Sequence, residues 1–189
     1  MTSHLWVTAV LMNVLKLPLS AASCQYCTRN VDTIRFLLEI VCRGMIDPDR
    51  KNGSKMTFET SRDLASKHYV VTGANSGIGF VAADNFASRG ATVALVCRDT
   101  DLGNRALDTI RYSTHDAELK LFIADFSSLH SVASLAKDLM HTYSSIDALC
   151  NNAGGANSAR HVTADGFETT IAVNQLAGFA LTQQLMPSL

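Results

Sequence analysis

The sequence predicts an α/β fold, a doubly wound parallel sheet with helices on both faces, and three observations carry that expectation. Short apolar, β-branched runs alternate with segments of helical period along residues 63–189, the β-α-β-α order of a parallel sheet. The first run, Tyr69-Val70-Val71-Thr72, leads directly into Gly73-Ala74-Asn75-Ser76-Gly77-Ile78-Gly79, and these glycines lead into a helix. The polar residues after later runs, at Arg98, Asp125 and Asn151-Asn152, would all lie at the C-terminal edge of the strands, where ligands bind in such sheets.

Each element has a local reason. Val70 and Val71 are stiff at χ1 and favour a strand. Residues 80–89 read as a helix closed by Gly90, a residue suited to the turn after a helix end. The second strand, 91–96, is apolar nearly throughout, as a strand covered on both faces should be. A helix over 101–112 precedes a third strand at 119–124, which ends at Asp125. Ser127 or Ser128 can cap a helix running to about residue 143. A fourth strand occupies 146–150, and a last helix runs from about 166 to 186, before Pro187. Right-handed crossovers give the order 3-2-1-4, with the sheet truncated after the fourth strand and its following helix.

Composition narrows the functional classes. With 16 basic and 17 acidic residues, no charge excess advertises a nucleic-acid surface. The single C-x-x-C at Cys24 and Cys27 has no second pair to complete a zinc site, and no metal is expected. Cys97 and Cys150 end apolar runs and read as buried thiols.

The chain before residue 63 divides into two parts. Residues 5–15 form an uncharged apolar run, interrupted by Lys16 and Pro18 before it could span a bilayer. Its length suits a targeting or anchor segment over 1–22, with Ser20-Ala21-Ala22-Ser23 resembling a cleavage site. No Lys or Arg precedes the run, so an ordinary apolar helix stays open. The first reading predicts the endoplasmic reticulum or another membrane, the second the cytoplasm. Within 23–62, an amphipathic helix at 31–45 precedes a polar linker at 47–54.

The glycine stretch is an anion site in prospect. Gly73 allows a sharp turn, Gly77 removes a Cβ that would crowd a pyrophosphate, and Gly79 lets the helix sit close to the strand. Amides at the helix start are unpaired and the macrodipole is positive there. Arg98 stands where an acidic residue would hold the ribose of NAD. A guanidinium there suits the 2′-phosphate of NADP; the alternative is a solvated Arg paired with Asp99. Asp125 and the Phe126 amide can hold an adenine edge, and Asp125 can equally cap the following helix. Of Asn151 and Asn152, one can brace backbone while the other faces a nicotinamide, unless both simply make a turn. Asn174 sits mid-helix, where Asn has poor propensity and needs a reason.

Taken together, 72–79, Asp125, Asn151-Asn152-Ala153-Gly154 and Val173-Asn174 resemble the short-chain dehydrogenase/reductase family over about residues 67–189. Val96-Cys97-Arg98, 125–129 and Asp165-Gly166-Phe167-Glu168-Thr169-Thr170 are similar to its retinol-dehydrogenase branch. The resemblance implies a Rossmann sheet and hydride transfer between NADP(H), less favourably NAD(H), and a small hydrophobic alcohol or carbonyl. It implies that the loop of Gly73, Asn75, Ser76, Gly77, Ile78 and Gly79 holds the phosphates and that Asp125 and Phe126 hold the adenine. Asn152, Ala153 and Gly154 would then lie at the nicotinamide ribose, and Asn174 would distort its helix to hold a water in a proton relay. The family's catalytic Ser and Tyr-x-x-x-Lys are not found in this sequence: none of its four Tyr has Lys four residues on. That departure predicts an inactive chain, or one that keeps only nucleotide or partner binding.

Overall fold

The computed structural model describes residues 64–157 and 159–189. The expectations for residues 1–22 and 23–62, including the Cys24–Cys27 pair, lie outside the described residues. Four parallel strands form the sheet: β1 (His68–Thr72), β2 (Thr92–Cys97), β3 (Leu119–Ile123) and β4 (Ala148–Cys150). Their order is β3-β2-β1-β4, the doubly wound arrangement expected. Register is continuous across it, Tyr69 standing beside Val93 and Ala148, and Val93 beside Leu119.

Helix α1 (Gly77–Ser88) packs on β1 and β2, and α2 (Thr100–Ser113) on β2 and β3. On the other face α3 (Leu129–Thr142) packs against the last helix, α4, which runs in three pieces from Thr169 to Leu185. Successive strand residues point to opposite faces, so Val70, Ala94, Val96, Phe122 and Leu149 join the core beneath α3 and α4. Leu135, Leu139, Leu181 and Leu185 fill that core and are at most 2% exposed. Burying each contributes about 1.5–3 kcal/mol, which fixes where α4 lies against the sheet.

Three boundaries differ from the sequence reading. α1 begins at Gly77 rather than at residue 80, because a first helical turn needs no acceptors upstream. β4 spans only Ala148–Cys150, since before it Asp147 donates its N–H to the His68 carbonyl and Ile146 to that of Ser188. α4 begins at Thr169, not 166, and is not one regular helix. Its pieces are Thr169–Ile171, a π-helical turn at Ala172–Leu176, and Ala177–Leu185. Residues 163–167 before it form a tight turn, with Gly166 at φ 84°.

Candidate functional site

The end of β1 is the hub of the site, and Thr72 is its centre. This fully buried hydroxyl donates to the Cys150 carbonyl at 3.2 Å and accepts from the amides of Asn152 (3.0 Å) and Ala153 (2.9 Å). It therefore welds the glycine loop after β1 to the loop after β4. Asn152 adds a second tie, its Nδ2 donating to the Thr72 carbonyl at 2.9 Å. Of the two asparagines, then, Asn152 braces backbone. Asn151 donates its Nδ2 to Thr182 Oγ1 on α4 at 2.9 Å.

α1 differs from the other helices at its start. Asp99 caps α2 by accepting from Leu102 N–H, and Ser128 caps α3 by accepting from Ser131 N–H. Glu168 caps α4 by accepting from the Thr170 and Ile171 amides, which hold its carboxyl below the usual carboxylate range. Ser76, at the α1 start, makes no side-chain cap at all. Among the described residues, that helix end keeps its positive amides without a side-chain acceptor. Gly77 stands here at φ 57°, with only open space where a Cβ would be. Gly79 is the opposite case: a Cβ there would run into the Gly73 carbonyl and Asn152 Nδ2.

A cavity of about 430 Å³ opens along the C-terminal edge of β1, β2 and β3. Gly73, Asn75, Arg98, Asp125, Phe126, Ala153 and Gly154 all line it. Ser76, Gly77, Ile78, Gly79 and Asn152 are not on its wall. Ser76 and Gly77 are exposed beside it, while Gly79 and Asn152 lock the loop from behind. Arg98 is exposed at the cavity and makes no ion pair with Asp99, whose Oδ1 accepts the Leu102 N–H. The alternative of an Arg98–Asp99 pair therefore falls.

Asp125 is exposed and its Oδ1 accepts from Ser127 N–H (2.9 Å) and Oγ (2.8 Å). It shapes the loop before α3, while Ser128, not Asp125 or Ser127, caps that helix. Among the described residues the Phe126 N–H has no hydrogen-bond partner, which leaves it open to a ligand. Cys97 lies on the same wall, and burial pushes its thiol up to about 11. Burial pushes the Cys150 thiol up to about 12. Neither is a nucleophile at neutral pH.

Asn174 occupies the middle of the π-helical turn. Its Oδ1 accepts from Gly155 N–H at 2.8 Å and its Nδ2 donates to the Gly155 carbonyl at 2.9 Å. The side chain thus pairs with the backbone after β4 and holds that loop against α4. Beside it a smaller cavity of about 210 Å³ is lined by Thr72, Asn151, Asn174 and Thr182, among others. Among the described residues no cluster of His, Cys, Asp or Glu could hold a metal, and no helix is long and apolar enough to cross a membrane.

A family model described as short chain dehydrogenase matches residues 67–189. The chain belongs to the short-chain dehydrogenase family. It is 38% identical over 140 residues to retinol dehydrogenase 11 of Mus musculus, a match covering 74% of this chain and 44% of that protein. It is 39% identical over 134 residues to WW domain-containing oxidoreductase of Gallus gallus, covering 71% of this chain and 32% of that protein. Its fold is similar to the Pseudomonas aeruginosa RhlG/NADP active-site complex, with TM-score 0.59 at 28% identity over 70% of this chain and 51% of that one. A putative uncharacterized protein from Mycobacterium Paratuberculosis gives TM-score 0.58 at 39% identity, over 70% of this chain and 47% of that one. The chain spans a third to under a half of the length of these curated relatives. As a short-chain dehydrogenase it has the family's Rossmann sheet and, within the family, resembles the retinol dehydrogenases.

The residues present fit a dinucleotide. The uncapped α1 start suits a pyrophosphate, the open space at Gly77 leaves room beside it, and the free Phe126 amide suits a base edge. Sequence reasoning placed Thr72 at the start of the phosphate loop but missed its tie to the loop after β4, and it missed the part played by Gly155. The partners of the Thr72 hydroxyl lie 78 to 81 residues away. Gly155 reads as a turn residue until Asn174 is seen against it.

Proposed function

We propose that these residues form the cofactor-holding part of an oxidoreductase that passes a hydride between NADP(H) and a small hydrophobic alcohol or carbonyl. The observation that carries this reading is the uncapped start of α1 beside a cavity flanked by the Arg98 guanidinium, which has no ion-pair partner among the described residues. When bound, the nicotinamide supplies or takes the hydride. The amides at Ser76, Gly77, Ile78 and Gly79 receive the pyrophosphate, and Gly73 and Asn75 shape the turn that presents them. Arg98 receives the 2′-phosphate, which NAD lacks. Asp125 and the Phe126 N–H hold the adenine edge. Ala153 and Gly154 border the nicotinamide ribose, with Asn152 positioning them through Thr72. Asn174 spends its amide on Gly155, so its part in a proton relay falls to the main chain of the π-helical turn.

Proton transfer is a separate requirement. A phenol of pKa ~10 exchanges protons near pH 7 only beside a cation, and no Tyr in residues 1–189 has Lys four positions on. Residues 1–189 are therefore expected to bind NADPH without turning over substrate, which also favours a second reading as a nucleotide-binding form. Calorimetric titration with NADPH and NADH tests the cofactor assignment. The wild type should favour NADPH by about tenfold or more, and Arg98→Asp should abolish that preference. NADH binding as tightly as NADPH to the wild type would sink it.

A further inference from the structure

The two walls of the adenine end of the cavity come from different parts of the chain. One is Asp125, Phe126 and Ser127, before α3; the other is Thr169, Thr170 and Val173, at the start of α4. Among the described residues, one side-chain hydrogen bond links the elements that carry them. Asp165 Oδ2 accepts the Leu129 N–H, the first amide of α3, at 2.8 Å across 36 residues of sequence. On its own side Asp165 sits in a turn fixed at both ends. Thr163 N–H donates to the Phe167 carbonyl, and Gly166 N–H to that of Thr163. Val162 pairs with Glu168, and the Thr169 N–H reaches the His161 carbonyl at 3.0 Å. On the far side the first turn of α3 is wired to the adenine loop, since Asp125 N–H donates to Ser131 Oγ at 2.9 Å. Beside the apolar packing of α3 on α4, the polar link from the start of α4 to Asp125 runs through Asp165.

We propose that Asp165 is a positioning residue for cofactor recognition, which sets the spacing of the two walls that receive the adenosine end. The inference rests on the NADP(H) reading above. It has an unusual sign. Asp165 is an exposed carboxylate, and removing a negative charge should by simple electrostatics favour an anionic ligand. Weakened binding on its removal can therefore come only from lost geometry.

The test uses the 189-residue chain and adenosine 2′,5′-bisphosphate as probe, titrated calorimetrically at a temperature where each variant is folded. Asp165→Ala should weaken binding roughly three- to tenfold. Asp165→Asn, which keeps an acceptor oxygen, should bind within about twofold of wild type. Leu129→Pro removes the donor while leaving a residue that a first helical position tolerates, and Ser128 before it is already extended at φ −124°. It should weaken binding as Asp165→Ala does, and the double variant should be no worse than either alone. Asp147→Asn, at the opposite end of the sheet, should lower the melting temperature and leave affinity unchanged. If Asp165→Ala melts earlier but binds the probe as wild type does, Asp165 is a helix cap and the proposal fails. If the wild type itself does not bind the probe, the NADP(H) reading fails and takes the inference with it.

Discussion

Gly77 and Gly79, two residues apart, show how much a residue's neighbours decide. At Gly79 an added Cβ meets a backbone carbonyl and the half-buried Asn152 amide, which its bond to the Thr72 carbonyl holds in place. Gly79→Ala should therefore cost about 1–3 kcal/mol, read as a lower urea midpoint with unchanged slope. No loss of stability would mean that the glycine loop yields where the structure holds it rigid. The sequence reading placed a glycine there for close packing, and the packing is present. Its contacts, however, are Gly73 and Asn152 rather than the strand as such. Gly77 was read as making room, whereas its positive φ is a backbone demand that periodicity does not reveal.

Elements were legible where periodicity and turn residues agree, and less so at their ends. The first three strands and the helices between them follow from apolar runs separated by Gly90 and by the polar loops. Helix caps were harder. Ser128 was one of two candidates, while Asp99 as the α2 cap was hidden behind its possible pairing with Arg98. A carboxylate can serve an amide and a guanidinium at once, so the residue types alone do not say which of them Asp99 holds. α4 held the largest surprise, though its signal was in the sequence. The buried positions Ala172, Ala177, Leu181 and Leu185 are spaced five, four and four apart. A spacing of five belongs to a π-helical turn, and Ala177 N–H does donate to the Ala172 carbonyl.

On the scale of the molecule, the edge of the sheet opposite the cavity is held by charge. Asp147 accepts from Lys67 Nζ at 2.8 Å and from the His68 N–H at 2.9 Å, tying the approach to β1 to the approach to β4. Partial burial alone would push the Asp147 carboxyl up, but Lys67 and the His68 amide outweigh it and hold it below its ordinary value of 3.8. A depressed carboxyl stabilises the fold above its unfolded pKa, and that contribution is lost as pH falls through the folded value. Glu168 is shifted the same way. Lys67 is shifted up by the same pair, so its share persists below 10.5 and is lost only as pH rises past its raised value. The melting temperature should thus fall below about pH 4. Asp147→Asn should lower it by roughly 1–4 °C at pH 7 and flatten the acid limb. A variant as acid-sensitive as the wild type would place the acid response elsewhere. None of this tie was legible beforehand, because 80 residues separate Lys67 from Asp147.

The π-helical turn of α4 has a consequence for how the gene can change. Such a turn is an ordinary helix with one residue too many, accommodated within a single widened loop so that both flanks keep their facing. Ala172 before it and Ala177, Leu181 and Leu185 after it point to the same core. Removing one codon inside the turn, for instance that of the exposed Gln175, would leave a regular helix with its buried face still aligned. Removing one in the regular part, such as that of Phe179, would swing Leu181 and Leu185 out by about 100°. In a deletion series followed by thermal melting, the first should retain a cooperative transition and lose the Asn174 grip on Gly155, while the second should not fold. The bulge is the one place in α4 where length is spare to the fold and committed to the site.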